Sequence, residues 1–498
     1  MNTIARRTAA ALAACLALAQ PPVRAQLPTL GDSTDMTISA ERKLGERIAR
    51  ELYRDPDYID DPVLSEYIQG IWQRLLAAAR QRGELTSESD ERFAWQVLLG
   101  KDKTINAFAL PGGWLGLHLG LISVTTSQDE LASVLAHELS HVTQRHIARM
   151  MTEQNRQAPL MLAAMLLGLL AAGKSPEGAN AVLIGSQAMA QQSQLNFSRD
   201  MEREADRVGF GVSTQAGFEP QGFVTMFEKL QQAARLNDNG NFPYLRTHPM
   251  NSERIAEMQA RQPLGRGPVA AAPGFEHGMM SARAKVFSYP GVDGLRGLVT
   301  EAQQLDAAKA TAARQASVYY AAALASSRLR DPAGAATWLA RLVPVVRGDA
   351  KAARLANLLE AEVAMANGNA ARAAELADIA APGRPEVLLG AQARISVGRA
   401  ADVAPRLQTW VALNPRDAAA WQQLASAYAA QGLVLRSIRA EAEARVAQLD
   451  YTAAVDRFRA AQDLVRRSGA GGDHIEASII DTRTRQVQSM LREQALER

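Results

Sequence analysis

The sequence predicts a mainly α protein in two parts, an α+β domain built around a small sheet followed by an all-α solenoid. Three observations carry that expectation. From about Ser39 to Met258, helical patterns surround one clear stretch of alternation, Trp114 to Leu121. A breaker-rich run follows, Gln262-Pro263-Leu264-Gly265-Arg266-Gly267-Pro268 and then Ala272-Pro273-Gly274. Beyond about Gly294 almost everything reads as Ala-rich amphipathic helix with short turns. The length of 498 residues suits two or three domains. With 47% hydrophobic and 21% charged residues, wholesale disorder and a collagen-like chain are excluded. One cysteine rules out a disulfide-stapled scaffold. The net charge of +3 rests on no cluster of phosphate-neutralising Lys and Arg, which argues against nucleic acid as a partner.

The first element reads as an export address. Met1 to Arg7 is positively charged, Thr8 to Ala19 is apolar and too short to span a bilayer, and Val23-Arg24-Ala25 ends in a small-x-small pattern. Cleavage after Ala25 is expected. Leu12-Ala13-Ala14-Cys15 also resembles a lipobox, but the apolar run continues past Cys15, which favours the cleaved signal over a lipid anchor. Cleavage at Ala25 leaves a mature chain without cysteine and close to neutral, able to live in an oxidising compartment without mispairing.

In Trp114–Leu121, Leu115, Leu117, Leu119 and Leu121 form one apolar face, while Gly116 and Gly120 permit close backbone approach on the other. An edge strand there, with His118 as a wall of the cleft, would hold an extended peptide by strand addition. Ser127-x-x-Glu130 is a capping box opening an apolar helix that contains His137-Glu138-Leu139-Ser140-His141. Two histidines four apart lie on one helix face, where both imidazoles can bind one Zn²⁺, and Glu138 on the adjoining flank reaches a water on that metal. His146 is nearly half a turn off that face, so a structural or surface role is expected rather than ligation. Gln157 to Gly173 is charge-free but short for a membrane span; a lid or a peripheral membrane contact fits its length better. On the following helix Glu202 and Asp206 share a face: one carboxylate can bind zinc while the other accepts the spare N–H of a ligand histidine. Thr247-His248-Pro249 reads locally as a turn.

The C-terminal helices repeat. Turn signals at Asp331-Pro332, Gly368-Asn369, Gly398-Arg399, Gly432 and Leu449-Asp450 recur at roughly 30 to 37 residues and then about 18, close to one or half of a helix-pair unit. Trp421, Leu424, Ala425 and Tyr428 resemble the first helix of a tetratricopeptide repeat, and Tyr451, Ala454, Phe458 and Ala461 resemble a second.

Asn106-Ala107-Phe108-Ala109-Leu110-Pro111-Gly112-Gly113, the His-Glu-x-x-His motif, Glu202-x-x-Ala205-Asp206 and Thr247-His248-Pro249 resemble, in order and kind, the motifs of M48 peptidases, zinc endopeptidases of the gluzincin group. The resemblance implies a zincin-like metallopeptidase fold with His137, His141 and Glu202 as zinc ligands, Glu138 as general base and Asp206 as the partner of a ligand histidine. It places His248 near the zinc, where it stabilises the transition state or, in the periplasmic branch, serves as a removable fourth ligand. Taken with the export address and the repeat arm, it implies a periplasmic endopeptidase with chaperone activity that handles unfolded or misassembled outer-membrane β-barrel proteins. The repeat arm would then dock on the barrel-assembly machinery. A general periplasmic peptidase and a non-proteolytic scaffold with a closed zinc site are the alternatives. The expected segments are a signal peptide (1–25), a metallopeptidase domain (26–275), a helical connection (276–309) and a tetratricopeptide-like domain (310–498).

Overall fold

The computed structural model describes residues 36–153, 199–235, 242–262, 274–289, 291–468 and 473–496. The export address and the apolar run 157–173 lie outside the described residues. Helix α1 (Ile38–Arg54) begins where Thr37 accepts the Ala40 N–H, and it packs Leu44 and Ile48 near Trp114. After β1 (Tyr58–Ile59), α2 (Pro62–Gln81) is capped by Asp61, with Pro62 in the first turn where its missing N–H costs nothing. Its Ile68, Ile71, Trp72 and Leu75 belong to the main core. Helix α3 (Ser87–Arg92) leads to β2 (Gln96–Gly100), β3 (Ala107–Leu110) and β4 (Trp114–His118). The sheet order is β1-β2-β4-β3, with β2 and β4 parallel and both outer pairs antiparallel.

That topology corrects the expected edge strand. β4 runs between β2 and β3 and ends at His118, and residues Leu119–Val124 form helix α4. Gly116 lies beneath the Phe108 ring, where an added Cβ would come within 2.0 Å of Cζ, and a Cβ on Gly120 would lie 2.2 Å from the Lys103 carbonyl oxygen. Both glycines therefore answer to internal packing. His118 pairs with the Thr104 hydroxyl at 2.8 Å. Gly116, His118 and Gly120 thus offer no open ladder to a peptide; on this side of the sheet the outer strand is β3.

Helix α5 (Gln128–Thr143) starts at Ser127, whose hydroxyl accepts the Glu130 N–H, while the Glu130 carboxylate returns to the Thr126 N–H and is neutralised by Lys229. Arg145, at φ 52°, breaks the chain direction before α6 (His146–Glu153). Helix α7 (Arg199–Gln215) crosses α5 closely at Gly209, where a Cβ would stand 3.0 Å from the Ala136 carbonyl oxygen. Then come α8 (Gln221–Arg235), the short α9 (Tyr244–Thr247) and α10 (Ser252–Ala260), capped by Asn251.

The segment expected as a connection carries α11 (Phe275–Ser288) and α12 (Val292–Gln304), and α11 is interior. His277 bonds Tyr67 Oη at 2.7 Å and the Thr125 carbonyl at 2.9 Å. Buried Arg283 grips Asp61 at 2.6 and 2.8 Å and reaches Glu362 at 2.8 Å. A helical solenoid follows: α13 (Ala312–Arg328), α14 (Pro332–Val346), α15 (Ala350–Ala366), α16 (Ala370–Leu376), α17 (Arg384–Ser396), α18 (Ala400–Leu413), α19 (Ala418–Ala430), α20 (Val434–Ala447), α21 (Tyr451–Ser468) and α22 (His474–Ala495). Its turns fall at the expected signals, with Asp331 and Asn369 as N-caps and Gly368, Gly398 and Gly432 at positive φ. The helix after Trp421 in the repeat differs from expectation, because α19 packs on α20, and the Tyr451 helix, α21, packs on both α20 and α22. The solenoid folds back onto α2 through Arg354–Glu66 and onto the turn before it through Arg384–Asp60. No described helix is long and apolar enough to cross a membrane.

Candidate metal centre and active site

The crossing of α5 and α7 creates the site. His137 and His141 project from α5, Glu202 comes from the first turns of α7, and His248 follows α9, whose turn closes with the His248 N–H on the Tyr244 carbonyl. One ligand atom from each of these four residues lies within 4.8 Å of the others, and all four side chains are buried. His137 Nε2 is 3.0 Å from His141 Nε2 and 3.3 Å from His248 Nδ1. Glu202 Oε1 is 3.0 Å from His248 Nδ1 and 3.5 Å from His141 Nε2. Donors in a tetrahedron with bonds of about 2.0–2.1 Å stand about 3.3 Å apart, so these separations fit a cation. The rings point their spare nitrogens elsewhere: His137 Nδ1 lies 2.9 Å from Asp206 Oδ1, out of good hydrogen-bond alignment, and His141 Nδ1 faces His146.

The cluster is built to hold positive charge. Burial works against a charged His137, but Asp206 and Glu202 outweigh it and lift its pKa to about 9. Burial, then the charge of His137, depresses His141 well below its ordinary value. Burial alone would raise Glu202, yet the nearby histidines hold it well below the usual carboxylate range. Glu138 goes the other way: burial raises it, against the pull of His248 and His137. Its Oε2 accepts the Ala109 N–H of β3 at 2.9 Å, while Oε1 has no hydrogen bond among the described residues and lies 3.5 Å from His248 Nε2. The carboxylate is thus pinned by one oxygen and bare at the other.

Two contributors were not read from the sequence as part of the site. Arg254 of α10 makes a paired contact with Asp206 at 2.6 and 2.8 Å and an ion pair with Glu202 at 2.9 Å. Burial opposes its charge, but Asp206 sustains it, and Arg254 in turn keeps Asp206 ionised despite burial. His146 sits behind His141 at 2.9 Å, where helix geometry alone had placed it off the face. Tyr244 stacks on His248, centroids 4.6 Å apart at 27°. Gly116, His118 and Gly120 stand apart from this cluster, in β4 and at the start of α4.

Three histidines and a carboxylate converging beside a second, half-bare carboxylate form a donor set that fits a metal cation with a base beside it, set on a helix-rich α+β scaffold. Residues 64–262 match the model of peptidase family M48. Among curated relatives, the beta-barrel assembly-enhancing protease of Escherichia coli strain K12 is 37% identical over 237 residues, 47% of each chain. A protein of Vibrio cholerae serotype O1 that provisionally carries the same name is 36% identical over 291 residues, 56% of this chain and 57% of its own. The mitochondrial metalloendopeptidase OMA1 of Saccharomyces cerevisiae is 30% identical over 200 residues, 39% of this chain and 55% of its own. The chain spans about half the length of the curated relatives it matches.

Proposed function

We propose that this protein is a periplasmic zinc-dependent endopeptidase that removes, and through its repeat arm helps assemble, outer-membrane β-barrel proteins. The observation that carries the reading is the buried His137–His141–Glu202–His248 cluster with Glu138 Oε1 bare beside it. In this reading His137, His141 and Glu202 hold the zinc, and Asp206 orients His137. Bound zinc supplies Lewis acidity, lowering the pKa of a water and polarising a peptide carbonyl. Glu138 takes the water's proton at Oε1 and returns it to the departing amine, its other oxygen held by the Ala109 N–H. Because that N–H points outward from the sheet, β3 is the strand along which an extended substrate runs, in place of β4. His248 reaches the cluster through Nδ1 and would serve as the removable fourth ligand, its withdrawal making room for a water.

The preferred substrates are unfolded or misassembled polypeptides, which alone can present an extended strand. The relatives named for barrel assembly support that substrate class, and we take segment 310–498 as the part that docks on the assembly machinery. We take 1–25 as the cleaved signal, 26–275 as the peptidase domain and 276–309 as its junction with the tetratricopeptide-like part. The test uses purified chain lacking residues 1–25: casein cleavage that a chelator abolishes and zinc restores, lost in Glu138→Gln with zinc still bound. Cleavage by Glu138→Gln at the parental rate would overturn the mechanism. Crosslinking from the solenoid in cells tests the partner.

A further inference from the structure

We propose that His146 is a positioning residue for the metal centre, fixing the tautomer and the aim of His141 through a relay that ends on Glu204. The proposal rests on the zinc reading above and extends it. The argument is donor and acceptor bookkeeping. An imidazole that gives its Nε2 lone pair to a metal carries its proton on Nδ1. His141 Nδ1 lies 2.9 Å from His146 Nδ1, so His146 must accept there and carry its own proton on Nε2. That atom lies 3.1 Å from Glu204 Oε2, an acceptor that Arg149 also holds at 2.8 Å. The opposite assignment fails at both ends. It would aim a His146 lone pair at a carboxylate and put the His141 proton on the nitrogen that faces the cluster. His146 is fully buried, and the turn at Arg145, φ 52°, is what returns it to the back of α5. The two α5 ligands are therefore oriented differently: His137 by a carboxylate directly, His141 by a neutral ring that passes the polarisation from Glu204.

The test measures zinc affinity of the mature chain by competition with a chromophoric chelator, and the visible spectrum of the cobalt-substituted protein, rather than cleavage. His146→Leu removes the acceptor and should weaken zinc binding by about 10- to 100-fold and change the cobalt spectrum. His146→Asn puts an amide oxygen near the position of Nδ1 and should recover most of the affinity. Glu204→Ala, at a half-exposed position, removes the end of the relay without emptying the interior and should give a smaller loss in the same direction. A purely structural role predicts that Leu and Asn variants differ in thermal midpoint but bind zinc alike. Parental zinc affinity in both His146→Leu and Glu204→Ala would overturn the proposal. Failure of the parent chain to bind zinc would instead remove the zinc reading itself, and the relay with it.

Discussion

Arg254 is a single side chain serving two buried acids. Its guanidinium spans Asp206 and Glu202, so replacing it with Met leaves two buried anions with only the histidines of the cluster to balance them. Arg254→Met should cost about 3–5 kcal/mol in the metal-free protein, measured by urea unfolding, with part of the loss recovered on adding zinc. Arg254→Lys should not restore it, because an ammonium cannot make the paired contact to Asp206 and reach Glu202 as well. At Glu138, substitution by Gln should reduce cleavage by about 10²- to 10⁴-fold with zinc stoichiometry unchanged. The histidine pair was legible because its chemistry is written at helical spacing within one turn. Arg254 was not, since it lies 48 residues from Asp206 and only the packing of α10 on α7 joins them. His146, expected as structural or surface, lies outside the donor group, and its seat behind His141 could not be read because the helix ends at Thr143.

At the scale of elements, the distance between α5 and α7 sets the width of the metal cluster. Gly209 lets the two backbones touch; Gly209→Leu would force them apart by more than a neighbour can yield, since the contact atoms are the main chain of Ala136 and His137. Zinc affinity should fall while far-UV helicity stays near the parental level, which circular dichroism checks. In the solenoid, boundaries were readable because each is a local event: Asp331 accepts the Gly334 N–H at 2.9 Å, and Asp331→Ala should cost about 1 kcal/mol in denaturation. The pairing of helices was harder to read. The Trp421 and Tyr451 patterns each mark a helix, but the less patterned α20 lies between them, and its buried Ala440, Ala442 and Ala444 give little signal. The strand failed for a related reason. Alternation and glycines describe a face equally well in the middle of a sheet as at its edge, and only pairing partners tell the two apart.

Across the whole molecule, the peptidase part and the solenoid share one interior through α11. Burial lowers the His277 pKa, opposed by its bond to the Thr125 carbonyl, so the fold favours the neutral ring. The unfolded chain takes up a proton near pH 6.5 that the folded one refuses, so this contribution is intact above about 6.5 and is lost as pH falls toward the folded value. The difference in urea midpoint between parent and His277→Gln should therefore shrink from pH 7.5 to pH 5.0. Two parallel stability curves would contradict it. The division into a sheet-bearing half and a helical half was visible in the sequence, whereas the embedding of α11 was not, because His277 and Arg283 are polar residues whose burial depends on partners far along the chain.

Asp61 is both the cap of α2 and the anchor of Arg283, which lies 222 residues later and itself waits for Glu362. The consequence is one of timing. As the chain emerges in order, α2 is left with a carboxylate lacking its buried cation and an uncovered apolar flank until the solenoid has arrived. Contacts of such sequence separation are among the last to form in folding. The interior that the two halves share is thereby closed only when the solenoid is already in place, and a chain interrupted before residue 283 should be more open to protease digestion than the full chain.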